Sequence, residues 1–479
     1  MNFVHVLYVL TRLCLILGAC LTLPLAFSFY YRDGVHLILI VEAGSLGAIY
    51  LVSRRLIPQP AELNVREGFL AVTLSWTILA LLGCIPFMAA GSIPTLTDAF
   101  FETMSGFTTT GATILSNIEV LPPSLLVWRN MTQWLGGMGV IALAVAVLPF
   151  LGVGGAQLFR AEVPGPTKDR ISPRISQTAR ILWILYLVFT VAQTALLMVG
   201  GLSFFHALCV TFGTLATGGF APLNASIAGY PSPYVHYVVI FFMFLAGTNF
   251  SLHYWAFRGQ PWRYWQNPEF RFFCWVVLSS FVVIALARMA GGARLSEVML
   301  RDTLFQTVSI VTTTGFITSD YEYWPFVTQI ILVLLMFVGG CGGSTGGGTK
   351  NIRIAVWFRF ISTEVAKLFH TRGVFPVKIG DKAVPANIVS NISVFVALYI
   401  LLFVAGILAM TAMGLTIDTA IGAVAATIGN VGPGIGDVGP VDNFGFIPSP
   451  GKWILSFLMM TGRLEIFTVL VLFSRRFWR

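Results

Sequence analysis

The chain has 479 residues, 56% of them hydrophobic and only 10% charged, with a mean hydropathy of +0.83. That balance excludes a soluble domain and marks an integral membrane protein. The net charge of +9 does not point to nucleic acid, because the basic residues flank apolar runs and form no binding motif.

A helix rising about 1.5 Å per residue needs about 20 apolar residues to cross a bilayer core of about 30 Å. Segments near 7–29, 36–52, 68–90, 126–151, 181–201, 234–257, 271–290, 326–361, 388–413 and 452–473 meet that length, so ten transmembrane helices are predicted. The runs are continuously apolar, without the two-residue alternation of a membrane barrel, which makes the fold class all-α. Lys and Arg concentrate in 53–67, 152–180, 256–273, 350–388 and 474–479. These stretches alternate with acid-leaning connections, so the positive-inside rule puts them, and both termini, in the cytoplasm. The six cysteines lie in or beside apolar segments without paired spacing and read as free thiols.

The first two spans form a separate N-terminal unit, residues 1–60. Beyond it, four short stretches recur: "TTTGAT" (108–113), "LATGGF" (215–220), "TTTGFI" (312–317) and "GNVGPG" (429–434). Aligned on Gly111, Gly218, Gly315 and Gly432, they divide the chain into repeats at 61–160, 175–260, 268–362 and 385–479. Before each glycine runs an apolar segment too short to cross a bilayer, opened by a capping residue: Asp98, Ser203, Asp302 or Asp418. Each repeat reads as helix, re-entrant half-helix, glycine loop, helix. Non-helical backbone inside a membrane is tolerated only where it is buried in protein or lines water, so the four loops are expected to converge on a pore. Half-helices entering from outside aim their partially negative C-terminal ends at the membrane centre, which favours a cation there. Backbone carbonyls of the Thr-Gly strands replace its hydration shell, and the expected cargo is a dehydrated monovalent cation. Ordinary Thr-Gly helix connections are the alternative, disfavoured by four occurrences at quasi-regular spacing.

"GGCGGSTGGGTK" (339–350) looks at first like a phosphate-binding loop. That loop needs Gly-Lys-Ser/Thr after a strand, whereas Gly348-Thr349-Lys350-Asn351 follows an apolar helix. Pro325 to Val338 amounts to about 21 Å of helix, too short to cross, so the glycines lie inside the membrane along a water-filled path. They read as a hinge in a pore helix, with Lys350 marking the start of the cytoplasm. Arg463 in "MMTGRLEIFTVLVLF" is costly at membrane depth and must face protein or water. Glu465 lies on a different helix face and is a poor partner for it. Glu42, also intramembrane, is expected to serve helix packing or an interface.

These motifs resemble the Trk/Ktr/HKT superfamily of potassium transporters, and the N-terminal helix pair resembles its Trk-type subunits. The resemblance implies four repeats around one pore per subunit. It places filter carbonyls on Thr109, Thr110 and Gly111, on Ala216, Thr217 and Gly218, on Thr313, Thr314 and Gly315, and on Asn430, Val431 and Gly432. Glycine in all four strands implies selectivity for potassium, and the fourth strand, lacking threonines, breaks the symmetry. The resemblance also makes Gly339, Gly340, Gly342, Gly343, Gly346, Gly347 and Gly348 an intramembrane gate (339–349) and sets Arg463 beneath the filter as an electrostatic barrier. It implies potassium as substrate with no cofactor in this chain, a homodimer in the lipid bilayer of the bacterial inner membrane, and a cytosolic TrkA-like regulatory subunit that binds the nucleotide. The basic segments 152–180 and 350–388 would dock that subunit, or only fix topology. The acids are spread over loops and caps without a cluster, so a transporter is expected and not an enzyme. The alternative within the family is a Ktr-like sodium-dependent or proton-coupled symporter.

Overall fold

The computed structural model describes residues 1–58, 64–146, 175–370, 373, 375–380 and 382–479. Among them the only named strands are the two-residue pair Lys378–Ile379 and Lys382–Ala383; the rest of the regular structure is helical.

The N-terminal unit is α1 (Phe3–Cys20), α2 (Thr22–Tyr31) and α3 (His36–Leu56). The Asn2 side chain caps α1 by accepting from Val4 N at 3.0 Å. Gly18 lets α3 come close: a Cβ there would stand 3.2 Å from the Ala43 carbonyl oxygen. Glu42 is buried on α3, which packs on α1 and α2, and neither of its carboxyl oxygens has a hydrogen-bond partner among the described residues.

Four units of like order follow. The first is α4 (Val65–Gly83) with α5 (Ile85–Ala89), then α6 (Leu96–Phe107) and α7 (Pro123–Ala146). The second is α8 (Ile175–Val199), α9 (Phe204–Leu215), α10 (Pro233–Ala246) and α11 (Phe250–Phe257). The third is α12 (Pro268–Ala290), α13 (Glu297–Val311), α14 (Phe326–Met336) and α15 (Asn351–Phe369). The fourth is α16 (Ala386–Ala412), α17 (Ile417–Ile428), α18 (Ser449–Arg463) and α19 (Ile466–Leu470). Asp33, in the α2–α3 turn, accepts from Ser124 N at 2.9 Å and so ties the N-terminal unit to the start of α7.

Among the described residues six helices are long and apolar enough to cross a membrane, or up to eight if each bent pair counts as one span. The ten continuous spans expected from hydropathy are therefore not all continuous. α10 and α11 meet at 102°, and the helix ending at Arg463 meets the next at 118°. The stretch 326–361 is two helices separated by the glycine run. A hydropathy window averages over Gly247 and over Glu465, whose backbone is left-handed at φ 60, and so misses breaks that backbone geometry makes. Part of the expected span 126–151, and residues 152–174 of the basic segment 152–180, lie outside the described residues.

The short helices α6, α9, α13 and α17 have Thr95, Ser203, Ser296 and Thr416 at their N-cap positions. Only Ser203 caps as expected from sequence. Asp98 and Asp418 sit in first turns, where their charge complements the helix dipole. Asp302 lies inside α13, because Ser296 starts that helix earlier and extends it to 15 residues against 12 for the others. Each short helix also packs on the helix that follows the loop of the preceding unit: α9 on α7, α13 on α10, α17 on α14, and α6 on α18. The last of these contacts closes a ring.

Candidate functional site: four converging loops and the loop against them

All four short helices end with the same hydrogen bonds. The amides of Thr109, Thr217, Thr313 and Asn430 donate three residues back, to the carbonyls of Gly106, Thr214, Ile310 and Thr427, at 2.9 to 3.2 Å. The next amides, on Thr110, Gly218, Thr314 and Val431, reach five residues back, to Ser105, Gly213, Ser309 and Ala426, at 2.8 to 2.9 Å. To make this turn the first residue of each loop adopts a left-handed backbone, with φ of 52, 53, 60 and 54°. For a β-branched threonine that conformation is a genuine outlier, and such strain collects at functional sites. Asn430 replaces threonine in the fourth loop at lower cost, since asparagine tolerates this region better.

Two residues further, Gly111, Gly219, Gly315 and Gly432 have φ of 86, 81, 78 and 100°. The second repeat is therefore one residue out of the register read from sequence. Thr217, Gly218 and Gly219 correspond to Thr109, Thr110 and Gly111, and Ala216 corresponds to Thr108. The sequence "TGG" offers two glycines for one site, and only the backbone turn selects the second.

The shared register brings the loops together. A Cβ on Gly111 would stand 2.2 Å from the Gly218 oxygen, one on Gly219 2.2 Å from the Thr314 oxygen, one on Gly315 1.9 Å from the Val431 oxygen, and one on Gly432 2.7 Å from the Thr110 oxygen. Each glycine admits the carbonyl of the next loop in chain order, and the fourth returns to the first. A ring of main chain this tight leaves room for no side chain at the glycine positions. Main-chain oxygens supplied by four loops are the donor set that suits a dehydrated alkali cation.

The loops are braced in different ways. In the first, the Thr108 and Thr110 hydroxyls bond at 2.8 Å, and in the third Thr312 and Thr314 do the same. The second carries Ala216 and Gly218 at those positions and is held from α7 by Gln133, whose Nε2 donates to Gly218 O at 2.5 Å while its Oε1 accepts from Phe220 N at 2.9 Å. One turn away, Arg129 donates to Ala221 O and pairs at 2.7 Å with the buried Glu102, which accepts from Thr113 Oγ1 and Ile114 N. In the fourth loop Asn430 Nδ2 donates to Thr110 Oγ1 at 3.0 Å and Met459 O at 2.9 Å. Tyr321 donates to Gly434 O, and Glu322 accepts from Gly436 N at 2.7 Å. Burial raises the pKa of the Glu322 carboxyl, the Gly436 amide opposes that, and Asp320, Asp442 and Asp418 add to the rise. Gln133, Arg129 and Glu102 were not singled out from sequence. Polar residues four apart in the otherwise apolar "VWRNMTQWLGGMGV" were the available signal. The glycines of that stretch do allow close approach, since a Cβ on Gly136 would lie 2.1 Å from Phe107 O.

The glycine run 339–349 lies against the third and fourth loops. Gly347 N donates to Thr313 Oγ1 at 2.6 Å, and a Cβ on Gly347 would stand 2.6 Å from that of Asn430. The run is held by groups that the break after α10 sets free: Cys341 N donates to Gly247 O, Thr345 N to Ala246 O, and Phe250 N to Gly343 O. Gly342 N donates to Glu269 Oε1, and Gly339 N closes the run by donating to Thr349 O. Gly343 and Gly348 need their left-handed φ of 76 and 60°, and Gly339 needs its lack of a side chain because Gly347 O would lie 2.0 Å from a Cβ. Gly340 and Gly346 are likewise buried in the run. Lys350 does not simply mark an exit to water; its Nζ turns back to Gly346 O. Arg463 donates from Nη1 to Thr345 O at 2.7 Å, while its buried Nε and Nη2 have no hydrogen-bond partner among the described residues. Glu465 is not its partner, for it pairs with Arg353 at 2.7 Å.

Comparison with known proteins decides the family. The model described as TrkH, cation transport protein, matches residues 43–479. The chain belongs to the TrkH family. It is 40% identical to the Trk system potassium uptake protein TrkH of Salmonella typhimurium and equally to that of Escherichia coli K12, over 100% of both chains in each case. It is 35% identical to the Escherichia coli K12 Trk system potassium uptake protein TrkG, over 87% of this chain and 86% of that one. The crystal structure of the potassium transporter TrkH from Vibrio parahaemolyticus superposes with a TM-score of 0.92 at 36% identity, covering 100% of both chains.

Proposed function

We propose that this chain takes up potassium across the bacterial inner membrane through a selective pore formed by the four loops. The observation that carries the reading is the closed ring in which Gly111, Gly219, Gly315 and Gly432 each admit the next loop's carbonyl oxygen. Four short helices converge there with their partially negative C-terminal ends, which supports a cation as cargo. Relatives of full length named for potassium uptake support potassium as that cation. In this reading the filter segments are 109–111, 217–219, 313–315 and 430–432, and Ala216 precedes the second, packed against Gly137. Counting α1 with α2, α4 with α5, α10 with α11, α14 with α15 and α18 with α19 as broken spans brings the crossings to ten, with both termini in the cytoplasm.

The run 339–349 and Arg463 form the gate in this account. The run leans on two filter loops, and a buried guanidinium bonded to it, with no carboxylate partner among the described residues, raises the barrier to a cation. Release is assigned to a cytosolic nucleotide-binding subunit docked on the basic segments 152–180 and 350–388 of a homodimer. The test is uptake of potassium against sodium into proteoliposomes, with and without that subunit and its nucleotide, and with and without a proton gradient. Potassium preference that needs no gradient and rises with the subunit is expected. Equal uptake of the two ions contradicts the pore, and strict dependence on a proton or sodium gradient replaces it with a symporter.

A further inference from the structure

We infer that Gln133 is a positioning residue for ion selectivity, acting on the second filter loop through main-chain hydrogen bonds. The inference rests on the pore reading above and deepens it. Three observations carry it. First, the loop needs external support: the hydroxyl pairs that tie Thr108 to Thr110 and Thr312 to Thr314 have no counterpart here, because Ala216 and Gly218 hold those positions. Second, Gln133 supplies it on both sides of Gly219. Its amide donates to Gly218 O and accepts from Phe220 N, so the two peptide groups flanking the left-handed glycine are fixed by one planar group. Only this amide orientation works, since Phe220 N–H must meet an acceptor and Gly218 O a donor. Third, the side chain is fully buried and its seat is tight: a Cβ on Gly218 would lie 2.5 Å from Gln133 Cδ.

A glycine-rich loop without hydroxyl bracing has the most freedom to reorient its peptides. Discrimination between potassium and sodium depends on where the main-chain oxygens are held, so loss of the clamp acts on selectivity before it acts on conduction. Arg129, one turn away and neutralised by Glu102, holds Ala221 O and keeps α7 seated on the same loop, so the loop remains attached without Gln133.

The experiment uses the full chain in proteoliposomes and reads the ratio of potassium to sodium uptake, with size-exclusion profile and thermal midpoint as controls. Gln133→Met keeps the length and removes both hydrogen bonds. The expected result is a ratio lowered about tenfold or more, since both hydrogen bonds are lost, with potassium uptake retained. Gly218→Ala dislodges the amide from the loop side and is expected to lower the ratio as well, which keeps the test available if Gln133→Met does not fold. Gly111→Ala separates the two levels of the account. If Gly111→Ala leaves the ratio unmoved, the pore reading itself falls. If Gly111→Ala lowers it while folded Gln133→Met and Gly218→Ala match the wild type, the pore reading stands and the role of Gln133 is overturned.

Discussion

The first and third loops differ from the second and fourth in where their support comes from. "TTTGAT" and "TTTGFI" carry their own braces, a threonine hydroxyl pair inside each strand. "LATGGF" and "GNVGPG" lack that pair and are supported by residues distant in sequence: Gln133 for the second, and Met459, Tyr321 and Glu322 around the fourth. Yet all four make the same turn, with the same amides reaching three and five residues back. The turn therefore belongs to the backbone and its glycine, and the side chains around it are interchangeable means of holding it. Divergence in the bracing leaves four-fold geometry intact while making each loop differently vulnerable.

Glycine substitution gives the largest expected effect and tests whether the ring is shared equally. A Cβ on Gly315 would meet Val431 O at 1.9 Å, whereas one on Gly432 would meet Thr110 O at 2.7 Å. Gly315→Ala is expected to cut potassium uptake by about a hundredfold, the cost of overpacking added to a strained φ, and Gly432→Ala by clearly less. Equal losses would show that crowding in the ring does not govern conduction. Next comes Asn430→Leu, which removes two buried hydrogen bonds and puts a bulky residue at a φ of 54°; uptake is expected to fall about tenfold or more. Arg463→Ala removes the buried charge bonded to the run beneath the third and fourth loops and is expected to raise uptake about tenfold. Unchanged or lower uptake in folded protein would remove Arg463 from the gate. The smallest effect is Thr312→Val, which deletes one hydroxyl pair from a self-braced loop and is expected to cost about 1 kcal/mol of stability in thermal unfolding, with selectivity lowered less than by Gln133→Met.

Legibility in the sequence differed from one feature to the next. Helical class, four repeats and four converging loops could be read from apolar length and from recurring Thr-Gly, because these are local signals with a fixed period. The sequence pattern gives the register of the first, third and fourth loops. For the second the pattern falls one residue early, because "TGG" satisfies it twice and the choice is made by contact with Thr314 O, about a hundred residues away in the chain. Continuity of the spans was over-read for a related reason. Hydropathy sees that 234–257 and 452–473 are apolar, but the breaks at Gly247 and Glu465 follow from what the glycine run and Arg353 bond to in space. Asp302 looks like a cap because it is a charged residue before an apolar run, but Ser296 caps the helix further upstream.

The most direct test of the central claim is to locate the ion. Crystals of this chain grown in rubidium, with diffraction collected at the rubidium edge, should show an anomalous peak on the axis between the four loops, ringed by Gly111, Gly219, Gly315 and Gly432. An axis without a peak, in protein whose proteoliposomes take up rubidium, would contradict the account.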